Sequence, residues 1–359
     1  MNLLPYDLTA IKSKRFNTLI WVANNVCPFE CWYCPEVIWG GNKKIPFTWN
    51  QCSNFLDIAL ERIPSCSFVI TGGEPTGWSL FPNLLDKVYK PDFDIKVDFG
   101  WFIFVISNMS KSKGFIDEWI DKTHYLVASY HPNVINTSKK REAWFEKVLS
   151  FKHRTRISLR MLMDPLHWDH CLEMFQSLND ENILLEPVTV LNFTEDGKDF
   201  NSLHSDNPNV FAKQYTQEQI EILNELKNKT GSSYVKTHKF NSLETISNEI
   251  TLEYKSGDRQ VLKNQSGNSD VYQQIVSKGL NKFKGWNCEI GFKDLFIGHG
   301  GEIAASVCMA REEKYIGNIS DVDNIKWPTK ATICPYEWCL CGSDFMIPKY
   351  KVMQEITEV

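Results

Sequence analysis

The sequence predicts an α/β protein: a partial (β/α)6 barrel followed by a small cysteine-rich domain. Short β-rich runs alternate with helical segments through the first half of the 359-residue chain, and those runs are apolar on both faces. Strands of that kind are buried from both sides, as in a parallel sheet wrapped by helices. The second part is predicted by five late cysteines, Cys288, Cys308, Cys334, Cys339 and Cys341.

In chain order the predicted strands are Thr18–Asn24, Phe68–Thr71, Trp101–Ser107, Tyr125–Ser129, Ile157–Met161 and Ile183–Pro187. The predicted helices between them are Asn50–Arg62, Leu80–Lys90, Gly114–Asp121, Lys139–Phe151 and Leu166–Leu178. Six such units form part of an eight-unit barrel, in which chemistry gathers at the C-terminal ends of the strands. From Leu191 to Asn209, Asn, Asp, Ser and Lys dominate, which reads as a long surface loop. Thr216 followed by Gln219 has the pattern of a capping box, and Ile220, Leu223 and Leu226 fall on one helical face. Ile250–Tyr254 and Gln260–Leu262 flank Ser256-Gly257-Asp258, a hairpin signal. A second hairpin, Leu295–Ile297 with Glu302–Ala304 around Gly298–Gly301, would bring Cys288 and Cys308 near each other. The expected division is 1–190 for the barrel, 191–285 for a connection that holds substrate determinants, 286–346 for the cysteine-rich domain and 347–359 for a tail.

Composition excludes several classes. A hydrophobic content of 43% and a charged content of 23% are ordinary for a soluble globular protein. No apolar run is long enough for a membrane helix, so no membrane partner is expected. Eleven cysteines without an export signal suit the reducing cytoplasm, where thiols remain free for metal clusters. The net charge of −5 argues against a broad basic surface, although a local groove for DNA stays open.

The most informative spacing is Cys27-Pro-Phe-Glu-Cys31-Trp-Tyr-Cys34, a C-x3-C-x2-C run directly after the first predicted strand. Three thiolates on so short a loop can hold three irons of a [4Fe–4S] cube and leave the fourth open. Cys31 and Cys34 alone equally fit half of a zinc site or a redox pair, but no second ligand pair follows within the next fifteen residues. After the second strand comes Thr71-Gly72-Gly73-Glu74-Pro75, whose glycines permit a sharp turn and close approach to a ligand. Ser107 and Asn108, Ser129 to Pro132, Arg160 and Glu186 stand at or near the later strand ends.

These motifs, in this order, resemble the radical S-adenosylmethionine (SAM) enzymes. The resemblance implies a partial TIM-type barrel, a [4Fe–4S] cluster on Cys27, Cys31 and Cys34, and SAM on the open iron. It assigns Tyr33, Gly72, Gly73, Glu74, Ser107, Asn108, Ser129 and Arg160 to SAM binding, with Glu74 at the amino group, Ser107 and Asn108 near the ribose, and Arg160 at the carboxylate. His131 and Glu186 are candidate substrate-side catalytic residues, His131 being alternatively a hydrogen-bond donor at the barrel rim.

The late cysteines resemble the auxiliary-cluster modules called Twitch and SPASM, the shorter Twitch form in particular, although zinc would also be satisfied by four thiolates. Five candidates for four ligands leave one spare, either a hydrogen-atom donor to a product radical or a buried cysteine. The expected activity is reductive cleavage of SAM followed by hydrogen abstraction from a polar small molecule, sugar or nucleotide, giving isomerisation, epimerisation or dehydrogenation. A flavodoxin or ferredoxin is the expected reductant. The alternatives are rearrangement of an amino-acid-modified thymine in phage DNA, modification of a peptide, and a non-catalytic iron–sulfur scaffold. A leader peptide is less expected, because only 26 residues precede Cys27.

Overall fold

The computed structural model describes residues 7–13, 17–34, 40–41, 45–90, 100–178, 183–190, 215–226, 250–262, 275, 278–292, 294–339 and 347–351. The polar stretch 191–209 and Cys341 lie outside them.

Six parallel strands follow one another in both chain and space: β2 (Asn17–Val22), β3 (Ser65–Thr71), β4 (Gly100–Ser107), β5 (Tyr125–Tyr130), β6 (Arg156–Met163) and β7 (Leu184–Thr189). They match the six predicted strands within a few residues at each end. Sequential order arises because each helical connection returns the chain to the same edge. Phe68, Ile70, Ile103, Val105, Leu126, Leu159 and Met161 are fully buried and share one face of the sheet, whereas Val69, Phe104 and Ile106 on the other face of β3 and β4 are only partly buried, so the expected burial on both faces holds for one face alone there.

The connecting helices carry their own start and stop signals. Trp49–Arg62 opens on a capping box between Thr48 and Gln51, and Pro64 follows its C-cap Ile63. Its buried residues, Cys52, Phe55, Leu56 and Ala59, recur at helical spacing and face the sheet. Phe55 meets Trp21 of β2 edge-on at 6.0 Å, and Phe68 and Trp78 close the same aromatic cluster. Ser112 and Thr137 cap the helices Lys113–Asp117 and Ser138–Leu149. The predicted helix Gly114–Asp121 stops at Asp117 and resumes as a 3-10 turn, Ile120–Lys122. The predicted capping box at Thr216 is present. Gln219 N donates to Thr216 Oγ1 at 3.2 Å, Thr216 N donates to Gln219 Oε1 at 3.0 Å, and a helix follows over 217–226.

Two features were not read from the sequence. β1 (Leu8–Ser13) pairs antiparallel with β8 (Ile250–Tyr254) and β15 (Lys349–Tyr350). With β9 (Arg259–Leu262), β10 (Asn287–Cys288) and β14 (Thr332–Ile333) they form a second sheet in the order β14-β10-β15-β1-β8-β9. The first sheet is extended on the other side. β11 (Leu295–Ile297) lies parallel to β2, β12 (Glu302–Ala304) pairs antiparallel with β11, and β13 (Tyr315–Asn318) antiparallel with β12. Both predicted hairpins form, β8–β9 and β11–β12, with Gly257 and Gly301 at positive φ. Among the described residues no helix is long and apolar enough to cross a membrane.

Candidate active site

The loop after β2 and the turn after β3 meet at the C-terminal edge of the parallel sheet. Their junction is backbone on backbone: Gly73 N donates to Asn24 O at 3.0 Å and Glu74 N to Val26 O at 2.9 Å. Asn24 adds its side-chain amide, donating to Glu74 O at 2.8 Å and accepting from Val26 N. Gly72 permits the approach. Its φ is +149°, and a Cβ there would fall 2.5 Å from Asn24 O. The Gly-Gly pair thus clamps the start of the cysteine loop onto β3.

Cys27, Cys31 and Cys34 follow directly from this clamp, Cys31 buried and the other two partly so. Burial pushes Cys27 up to about 11 and Cys34 up to about 12, and raises Cys31. Negative charge on Cys31 raises both Cys27 and Cys34 further, so the three sulfurs lie within electrostatic reach of one another. Among the described residues, no three His, Cys, Asp or Glu side chains converge on a point that would suit a single ion. Cys27 Sγ accepts from Phe29 N at 3.4 Å and from Asn108 Nδ2 at 3.3 Å.

Glu74 is buried, with burial raising its carboxyl above the ordinary range. Its oxygens accept from Thr76 N, Thr76 Oγ1 at 2.6 Å, Ser107 Oγ at 2.8 Å and Asn108 N at 2.7 Å. It thereby ties the end of β3 to the end of β4. Tyr33 is buried and stacks on His131, its hydroxyl 3.0 Å from His131 Nδ1 and donating to Asn133 Oδ1 at 3.1 Å. His131 Nδ1 also lies 3.3 Å from Cys31 Sγ, and burial lowers its imidazole to about 4, so the ring is neutral near pH 7.

Ser129, Arg160 and Glu186 are in register across β5, β6 and β7 and share one face of the sheet. Arg160 Nη2 lies 3.8 Å from Glu186 Oε2 in a half-exposed pair. Arg160 Nε is buried without a hydrogen-bond partner among the described residues.

Sequence reasoning missed Asp164, the residue that follows β6. It is completely buried, and its Oδ2 accepts from Trp32 Nε1 at 3.0 Å and sits 2.8 Å from His167 Nδ1. Trp32 belongs to the cysteine loop, so Asp164 anchors that loop from the C-terminal end of β6. The Asp-Pro step before a turn was the available signal, and it reads as an ordinary cap.

No family model matches the chain, and no curated protein matches it. Among solved structures, native anSMEcpe with bound AdoMet and Cp18Cys peptide aligns with a TM-score of 0.52 at 14% identity, over 88% of this chain and 81% of that one. The fold is shared. Native anSMEcpe with bound AdoMet and Kp18Cys peptide aligns at a TM-score of 0.48 and 14% identity, over 85% and 77%. BtrN in complex with AdoMet and 2-DOIA aligns at 0.34 and 9% identity, over 86% and 82%.

The late cysteines gather in a second place. Cys288 and Cys334 are buried in one apolar cluster, with Cys308 and Cys339 packed against it. Tyr336 bridges them: its hydroxyl donates to Cys308 O at 3.0 Å, and Cys308 and Cys334 both contribute to raising its pKa.

Proposed function

We propose that this protein is a radical SAM enzyme whose catalytic cluster is held by Cys27, Cys31 and Cys34. The observation that carries the reading is the placement of these three mutually interacting thiols on a loop clamped to the Gly72-Gly73-Glu74 turn, at the C-terminal edge of a parallel sheet. The strand order β2 to β7 is what a six-unit sector of a parallel barrel requires. The shared fold with an AdoMet-bound protein supports the same assignment.

When bound, such a cluster supplies the electron that splits a carbon–sulfur bond of SAM and yields a 5′-deoxyadenosyl radical. The chain's own residues bind, orient and exclude water. Arg160 has an unpartnered buried Nε and a planar fork suited to the SAM carboxylate, with Ser129 beside it in register. The Gly72–Gly73 backbone shapes the wall at the methionine amino group. Glu74 acts there through Ser107 and Asn108, since its oxygens already accept four hydrogen bonds. His131, neutral and stacked on Tyr33, holds the cysteine loop in place. Glu186 faces the substrate side and steadies Arg160.

Cys288, Cys308, Cys334 and Cys339 hold an auxiliary iron–sulfur cluster in a Twitch-like unit, their common apolar surroundings supporting that assignment. The substrate is a polar small molecule, sugar or nucleotide, in keeping with the charged row on β6 and β7 and with a net charge of −5 that suits duplex DNA poorly. A one-electron reductant of the flavodoxin or ferredoxin class feeds the cluster.

The test is anaerobic reconstitution, reduction with dithionite and assay of 5′-deoxyadenosine. Wild-type protein is expected to form it, and Cys27→Ala, Cys31→Ala and Cys34→Ala to abolish it together with the iron those thiols hold. Full iron retention in the triple variant would overturn the assignment.

A further inference from the structure

The resemblance places Asn108 at the SAM ribose, but each of its polar groups is otherwise engaged. Its backbone N donates to Glu74 Oε2 at 2.7 Å, and its carbonyl accepts from Trp144 Nε1 at 3.0 Å. Its side-chain Oδ1 accepts from Ser110 N at 2.9 Å, while Nδ2 points at Cys27 Sγ, 3.3 Å away. The orientation of the amide follows from chemistry. Flipped, it would set its NH2 against the Ser110 N–H and its oxygen against the sulfur, so the donor belongs on the sulfur side. Met109, at φ +58°, turns the chain directly after Asn108 and brings the Ser110 N–H back to Oδ1. The residue is 4% exposed, so the amide is fixed by its surroundings and little disturbed by water.

Cys27 Sγ therefore receives two N–H donors, Asn108 Nδ2 and Phe29 N. The His131 ring also reaches a sulfur, Cys31 Sγ, but there the donor depends on the tautomer, whereas an amide NH2 can only donate. Donors on a ligating thiolate favour the cluster form that carries more negative charge. Reduction adds one electron from the external one-electron reductant, with no bond made or broken and no proton required.

Resting on the radical SAM reading above, we infer that Asn108 is a positioning residue that raises the reduction potential of the Cys27–Cys31–Cys34 cluster through its hydrogen bond to the Cys27 sulfur. The side chain thus acts on the cluster and not on the ribose.

The experiment is an anaerobic redox titration of the reconstituted full-length protein, followed by electron paramagnetic resonance, in wild type and Asn108→Leu. Leucine keeps approximately the size and removes the donor. At the wild-type midpoint, the ratio of reduced to oxidised cluster in Asn108→Leu is expected to fall roughly three- to tenfold, tenfold corresponding to 59 mV for one electron. An unmoved midpoint at full iron content would overturn the inference. A second measurement labels both proteins with 15N only in asparagine side chains: because Asn133 also bonds a cluster sulfur, at Cys31, the 15N coupling to the reduced cluster by pulsed resonance is expected to be larger in wild type than in Asn108→Leu, and identical couplings would equally overturn it. Wild-type protein that assembles no cluster ends the radical SAM reading itself, while a loaded wild type with an unmoved variant midpoint ends this inference alone.

Discussion

Replacing Gly72 by alanine probes the clamp between the cysteine loop and β3. At φ +149° an L-residue pays about 1–3 kcal/mol in backbone strain. The new Cβ would also lie 2.5 Å from Asn24 O and 3.1 Å from Asn24 N, both backbone atoms that cannot rotate away. Relief requires the two segments to part, weakening the Gly73–Asn24, Glu74–Val26 and Asn24–Glu74 hydrogen bonds. At about 1 kcal/mol net for each of the three bonds, their loss together with the strain totals roughly 4–6 kcal/mol, concentrated at the loop that carries Cys27. The β2–β3 ladder, with six residue pairs in register, keeps the fold. Gly72→Ala is therefore expected to retain its far-ultraviolet dichroism, melt at a lower temperature and bind several-fold less iron after reconstitution. Gly77→Ala is the control, because a Cβ there meets only Asn24 Nδ2 at 3.7 Å and should match wild type. A Gly72→Ala protein with wild-type melting and iron content would refute the clamp.

Three further outcomes follow from the same structure. His124 Nδ1 accepts from Ile103 N at 3.0 Å, and burial together with Arg156 lowers its pKa from 6.5 to about 4. The unfolded chain takes up that proton first as pH falls, so this residue's share of stability, about 3 kcal/mol, is lost between pH 6.5 and 4; chemical denaturation at several pH values should show a shallower slope in His124→Gln, His131, likewise lowered to about 4, supplying slope that remains, and an unchanged slope would refute the linkage. Arg160→Lys replaces a fork by a point charge and is expected to weaken SAM binding about tenfold by calorimetry on the reconstituted protein, an unchanged affinity removing Arg160 from the pocket. Serine at Cys288, Cys308, Cys334 and Cys339 together is expected to remove roughly half of the iron while the SAM-binding cluster persists, and undiminished iron would exclude the auxiliary centre.

What was legible in the sequence is what local chemistry encodes. The strands β2 to β7 announced themselves by continuous apolar runs, and the capping residue Thr216 by Gln219 three residues on. β1 stayed hidden because its ladder is completed from Ile250–Tyr254, so a short run such as Leu8–Ser13 carries no local sign of its partners. The parallel pairing of β11 with β2 was equally remote: Thr18 N donates to Asp294 Oδ1 across 276 positions. Within the site, the residue types at the strand ends were readable, but their targets were not. Asn108 and Glu74 read as ligand contacts by motif, yet in the structure their side chains bond to other parts of the protein. Asp164 reads as a turn residue until Trp32 is brought to it from 132 positions away.

The pairing of β1 has a consequence for synthesis. Thr9 reaches Glu253 across 244 positions, so β1 leaves the ribosome long before β8 exists. At about 5–20 residues per second, it waits on the order of ten to fifty seconds with Leu8 and Ile11, both buried in the finished protein, still uncovered. The nascent β1 segment is thus a natural client for holding chaperones, and conditions that slow elongation lengthen its exposure.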